Sequence, residues 1–168
     1  MTIAEAAFHW VPTATPWKGK LVYVASDYAI NFRLDPELAK SEPVFWDQGC
    51  SLALQTLEVH VACATGTLLF PRGYFPKTMW KAGSLPAVHA AAGRVTVVPG
   101  SFQVGVAEPL AEADQWVVIH DSSTGWLRFG RSDAPLSEGT VLVEFATGTV
   151  LELARTGVSA LWMRPESE

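Results

Sequence analysis

Apolar residues alternate with polar or small ones over short stretches of this chain, and glycine, proline or serine interrupts each stretch before a helical period can build. Val22, Val24, Tyr28, Ile30 and Phe32 stand at even spacing, which on extended backbone directs them to one face. Leu52 to Cys63 and Thr140 to Phe145 are rich in apolar and β-branched residues and read as further strands. Ala64-Thr65-Gly66-Thr67 and Ala146-Thr147-Gly148-Thr149 each lie between apolar runs. Both read as hairpin turns, with Gly66 and Gly148 supplying the positive φ. One short helix is expected at Pro36 to Lys40, with Asp35 as N-cap and Pro36 at the first helical position, where its missing N–H costs nothing. The ends, 1–16 and 165–168, are expected to be loosely held.

The pattern also recurs. Gly19-Lys20-Leu21-Val22-Tyr23-Val24 resembles Gly93-Arg94-Val95-Thr96-Val97-Val98, and Tyr28, Ile30 and Phe32 align with Phe102, Val104 and Val106. Asp35-Pro36 aligns with Glu108-Pro109, the two Ala-Thr-Gly-Thr segments align, and Trp80 aligns with Trp162. The offset drifts from 74 to 73 to 82, so insertions must separate the matched strands. The expectation is therefore a mostly β fold in one domain over 1–168. It would be a β-sandwich or flattened barrel of two tandem pseudo-symmetric repeats, 18–83 and 92–165, each with one short helix.

Composition narrows the class. At 168 residues, 49% hydrophobic and 17% charged, the chain can bury a sizeable core and is neither disordered nor a coiled coil. The first residues carry Glu5 where a signal peptide needs positive charge, and no uncharged apolar run of membrane-spanning length occurs. Two cysteines, Cys50 and Cys63, are too few for a disulfide framework, and a reducing cytoplasm is expected. Residues 1–84 hold seven basic and seven acidic side chains, whereas 85–168 hold five and ten, so the whole net charge of −5 lies in the second half. Neither half has the basic balance that follows a nucleic-acid backbone, and no membrane partner is expected. A cationic protein partner suits the acidic half.

Candidate chemistry is sparse. No Cys-x-x-Cys, His-Glu-x-x-His, Gly-x-Ser-x-Gly or phosphate-cradling glycine loop occurs. No cofactor, metal site or catalytic residue is expected. His60 and Cys63, three apart on a strand, would face opposite sides. His120-Asp121-Ser122-Ser123 reads as a turn in which Asp121 bonds nearby backbone N–H groups.

Contact residues are sought where the repeats differ. Arg72, Tyr74 and Phe75 lie in a proline-braced segment, Pro71 to Pro76, and combine residue types that anchor interfaces. Trp126 and Arg128 alternate with the core candidates Leu127 and Phe129 and are expected to form an outward cation–π pair, with Asp121 nearby. The leading expectation is a non-catalytic protein-binding module of inhibitor or immunity type. The alternative is a small-molecule-binding protein or enzyme with a pocket between the repeats, lined by Cys50 after Gln48-Gly49, by His120 and by Asp121. Oligomeric state is open, a self-associating subunit being a third possibility.

Overall fold

The computed structural model describes residues 8–46, 49–98, 102–110, 113–132, 136, 138–155 and 157–168. Among them the chain is mostly strand. Its elements are β1 (Phe8–Pro12), β2 (Gly19–Val24), β3 (Ala29–Leu34), α1 (Pro36–Ser41), β4 (Gly49–Leu54), β5 (Leu57–Ala62), β6 (Thr67–Tyr74), β7 (Trp80–Ala82) and β8 (Ala91–Val97). They continue with β9 (Ala107–Pro109), β10 (Val117–Asp121), β11 (Trp126–Gly130), β12 (Val141–Ala146), β13 (Thr149–Ala154), β14 (Gly157–Met163) and β15 (Glu166–Ser167). No helix among the described residues is long and apolar enough to cross a membrane.

The strands form one sheet, in the order β15-β2-β3-β6-β8-β12-β13-β14-β11-β10-β7, curled into an open half-barrel. β5 also pairs with β6, β4 lies beyond β5, and β9 lies beyond β4, while β1 lies on β8. Tight antiparallel turns build most of this. Leu54 pairs with Leu57, Ala62 with Thr67, Asp121 with Trp126 and Ala146 with Thr149. As expected, Gly66 (φ +74°) and Gly148 (φ +70°) stand in the left-handed region. Asp35 caps α1, its Oδ1 accepting from Glu37 N at 3.0 Å and Leu38 N at 3.1 Å.

A core of alternating side chains fills the curl. Leu21, Tyr23, Ile30, Val59 and Leu68 from the first half meet Val95, Leu127, Phe129, Val143 and Leu161 from the second. The outer face of the second half is covered as well. Leu142, Val150, Ala160 and Trp162 form a separate apolar cluster, and Leu85, Val88, Ala90, Trp126 and Leu136 pack on it. Gly130, paired with Ala160 across β11 and β14, has no room for a Cβ against the Ala160 side chain and the Ser159 carbonyl.

The matched stretches of sequence behave unevenly. β2 and β8 are both strands, and both Ala-Thr-Gly-Thr segments are hairpin turns. Tyr28 to Phe32 lies largely in β3, but residues 102–106 contain no strand, and Pro36 starts a helix where Pro109 ends β9. Trp80 stands on a three-residue strand at one end of the sheet, whereas Trp162 is fully buried in β14. The chain ends correct the expectation of looseness at 8–16 and 165–168. β1 pairs with β8 from Phe8 to Pro12, Trp17 bridges to Ala146, and β15 pairs with β2. Residues 1–7 lie outside the described residues.

The two halves of the sheet meet at a narrow joint. β6 and β8 share a single pair, Thr67 with Thr96, and Val97 N donates to Gly66 O at 2.8 Å. A Cβ on Gly66 would run into the Val97 carbonyl, on top of the positive-φ strain. Gly66→Ala is expected to lower stability by at least about 1–3 kcal/mol, read as a drop in the urea midpoint; an unchanged midpoint would show that the joint is not needed.

Candidate functional site

The two ends of the curled sheet face each other without pairing. At one end, β15 adds in parallel to β2, setting Glu166 beside Val22 and Ser167 beside Tyr23. At the other, β7 adds in parallel to β10. Contact across the seam is made by rings: Tyr23 of β2 meets Trp80 of β7 edge-on, centroids 5.1 Å apart. Lys77 places its ammonium 4.9 Å from the Tyr23 ring centre and 5.6 Å from that of Trp80. His120 of β10 meets Trp80 at 5.1 Å. These residues, with Ser167, line a cleft of about 160 Å³.

A larger cleft of about 690 Å³ opens beside the same C-terminal segment, lined among others by Lys20, Trp126, Glu144, Thr147, Arg164 and Glu166. Backbone bonds hold its walls. Trp17 N donates to Phe145 O and Thr147 N to Trp17 O, each at 2.9 Å, and Arg164 N donates to Gly148 O at 2.9 Å. The Arg164 guanidinium lies 5.3 Å from the Trp126 ring centre. Lys20 Nζ reaches Glu166 Oε2 at 2.8 Å, and Glu144 Oε1 accepts from Gly148 N at 3.0 Å. A stacking surface and opposite charges thus share one opening.

The residues nominated from sequence are scattered. Arg72 and Tyr74 are exposed on β6, where Tyr74 (51% exposed) makes an edge contact with Tyr28 (56% exposed). Phe75 is fully buried, its ring 5.3 Å from Phe129; it is core and cannot touch a partner. Trp126 is half-buried and lines the larger cleft, but its cationic neighbour is Arg164. The expected outward Trp126–Arg128 pair does not form. Arg128 is 2% exposed, because residues 85–90 and Leu136 cover that face.

Arg128 instead joins a buried polar network. Its Nε and Nη2 each donate to Glu152 at 3.0 Å, and its Nη1 donates to Arg131 O at 2.6 Å. Glu152 also accepts from Trp162 Nε1 at 2.6 Å and Ser159 Oγ at 2.8 Å. Burial works to raise the Glu152 pKa, but the bonds from Arg128, Trp162 and Ser159 together hold it below the usual carboxylate value. Asp121 is also structural. It accepts from Ser123 Oγ at 2.6 Å and Ser123 N at 3.0 Å, the turn bonding expected, and from Leu85 N at 2.9 Å. The Ser123 hydroxyl and the Leu85 N–H outweigh burial and hold its carboxyl below its ordinary value.

Cys50 is a core side chain whose Sγ lies 3.6 Å from Val61 O. The β4–β5 ladder puts Val61, not His60, opposite it. His60 stacks on Phe70 at 5.1 Å, and burial, aided by Arg72, holds its pKa below the usual imidazole value against a weaker pull from Glu58. Cys50 lies outside both seam clefts, while His120 does line the smaller one. Gln48 lies outside the described residues. No disulfide joins Cys50 to Cys63, and no three His, Cys, Asp or Glu among the described residues converge as metal ligands.

Sequence reading missed Tyr23, Lys77, Trp80 and Arg164, which gather only through the curl. Glu152, a lone acid in the apolar run Val150 to Leu153, was a signal for a buried partner. Arg128→Met leaves that carboxylate without its cation and is expected to cost about 3–5 kcal/mol, measured by chemical denaturation. The lowered Glu152 pKa means that the folded chain binds fewer protons than the unfolded chain in acid, so this stabilisation is present above the unfolded carboxylate pKa, about 4.3, and fades as pH falls through the folded value. Glu152→Gln should therefore flatten the acid limb of stability against pH; an unaltered acid limb would show that Glu152 is not the group responsible. Comparison of the chain with protein-family models, with curated proteins and with solved structures finds no match in any of the three.

Proposed function

We propose that this protein binds a small molecule in the larger seam cleft, against Trp126 and Arg164. The carrying observation is the cleft itself. Its 690 Å³ falls in the range of ligand sites, roughly 300–1,000 Å³, and its walls come from β2, the β12–β13 turn, β11 and the C-terminal segment. Trp126 offers a flat apolar surface, and Lys20, Arg164, Glu144 and Glu166 offer groups of both signs to orient a polar ligand. In this reading the larger cleft lies between two tandem units, 18–83 and 92–165, of a flattened barrel that stays open at the seam, with Gly19, Lys20 and Leu21 from the first unit facing Trp126, Thr147 and Arg164 from the second. The strand–strand match of β2 with β8 and the two matching hairpin turns favour that duplication. A cytoplasmic setting is part of the same proposal, supported by two cysteines that form no bridge.

Thermal-shift screening of the whole chain against metabolite-like compounds tests the proposal. At least one compound is expected to raise the melting temperature, with the shift lost in Trp126→Ala. A shift kept in that variant, or none across the screen, would contradict the reading.

A second reading, a protein-binding module of inhibitor or immunity type, is favoured by the exposed Tyr28–Tyr74 pair beside Arg72. These are anchor types, and the chain's net charge of −5 would favour a basic partner. If it holds, affinity capture from the source cell returns a basic protein, and Tyr74→Ala with Arg72→Ala weakens the complex by more than about 2 kcal/mol. Capture unaffected by the double variant would remove this surface from consideration.

A further inference from the structure

Resting on the reading of the larger cleft as a small-molecule site, we infer that its ligand is an amino acid with an apolar side chain. It binds as a zwitterion, its carboxylate on Arg164 and its ammonium on Glu144. The ionisable side chains that line the cleft are Lys20, Arg164, Glu144 and Glu166, two of each sign. Their charges cancel, so a ligand with a net charge would be attracted by one pair and repelled by the other. A ligand with separate charges of both signs can match both.

Lys20 and Glu166 already satisfy each other, at 2.8 Å. The other two charges are not matched in this way. Arg164 N donates to Gly148 O at 2.9 Å, and Glu144 Oε1 accepts from Gly148 N at 3.0 Å, so one glycine anchors both residues. Even so, neither side chain makes an ion pair among the described residues. The Arg164 guanidinium rests 5.3 Å from the Trp126 ring centre and makes no hydrogen bond among the described residues. An aromatic neighbour takes none of its donors, and the planar N–H fork stays free for the paired bonds that a carboxylate accepts. Glu144 uses one oxygen on Gly148 N and keeps Oε2 as an acceptor. The α-carbon of an amino acid holds a carboxylate and an ammonium side by side, which suits a cation and an anion tied to the same residue.

The cleft also has an apolar wall. Val88, Ala90, Trp126 and Val150 line it and belong to the outer apolar cluster, and its 690 Å³ admits a large side chain. A phosphate dianion would lie beside Glu144 and Glu166 with no cationic group to meet them. A sugar would leave Arg164 without an anion.

The test follows the Trp126 indole signal in ¹H–¹⁵N spectra of the full chain, identified by its loss in Trp126→Phe. The protein is titrated at neutral pH and constant ionic strength with L-phenylalanine, L-leucine, 3-phenylpropionate, which lacks the ammonium, and phenethylamine, which lacks the carboxylate. The expected result is a saturable shift with both amino acids, and an apparent affinity about tenfold or more lower for each analogue than for L-phenylalanine. Arg164→Met should weaken L-phenylalanine about tenfold or more without weakening phenethylamine. Glu144→Gln, which keeps an oxygen for Gly148 N, should weaken L-phenylalanine without weakening 3-phenylpropionate. Arg164 is exposed, so its replacement keeps the test sound if Glu144→Gln perturbs the turn, and unmoved signals from the other indoles report an intact fold. No shift with either amino acid, equal affinity for either analogue, or undiminished affinity in Arg164→Met would overturn the assignment. A singly charged or neutral compound that stabilises the protein through Trp126 while both amino acids leave it unchanged overturns the amino acid and leaves the cleft reading standing. Silence of the amino acids and of the whole thermal-shift screen overturns both.

Discussion

The structure depends on a sheet that bends far enough to bring its own ends together and then leaves them unpaired. A closed barrel would satisfy both edges with ladder hydrogen bonds. Here β7 is too short, and the opposing end is capped by the two-residue β15. The ends are instead held by the Tyr23–Trp80 edge contact, worth about 0.5–1.5 kcal/mol beyond area burial, and by the chain itself, which passes from β14 through Pro165 into β15. Both clefts follow from that incomplete closure, since side chains at an unpaired seam need not fill the space as ladder neighbours do.

A second constraint holds the sheet's far side. The outer face of the second half is covered by residues 85–90 and Leu136, so a polar group there is buried and must be satisfied internally. Arg128, Glu152, Ser159 and Trp162 answer that requirement together. Asp121 helps to hold the cover by accepting from Leu85 N. One layer of loop thus turns what would be a solvent face into a second interior, and it borders the larger cleft through Val88 and Ala90.

Local chemistry was the legible part. The alternation that buries Leu127 and Phe129, the Asp35-Pro36 helix start and the glycine turns rest on neighbours in sequence, and the structure shows each of them. The single face expected for Val22, Val24, Tyr28, Ile30 and Phe32 does not form: Leu21 and Tyr23 pair with Phe32 and Ile30, Val22 and Val24 lie on the other face opposite Asn31 and Ala29, and Tyr28 is exposed in the turn between the strands. What could not be read depends on distant segments. Arg128 looks outward from its own strand and is buried only because residues 85–90 lie over it. Phe75 looks like an interface aromatic and is core because the chain turns inward after β6. Matching sequence at residues 28–32 and 102–106 takes different structure, since pairing partners decide whether an apolar stretch becomes a strand. The seam residues lie as far apart as Tyr23 and Ser167, and nothing local announces that they meet.

The central claim is that the two ends of one curled sheet meet through side chains alone. The most direct test is a nuclear Overhauser measurement between the Tyr23 ring and the Trp80 indole in the full chain. The account predicts strong cross-peaks between these rings, as their 5.1 Å separation requires, without backbone cross-peaks of a paired ladder between β15 and β7. Absence of the ring cross-peaks, or a complete ladder across the seam, would contradict it.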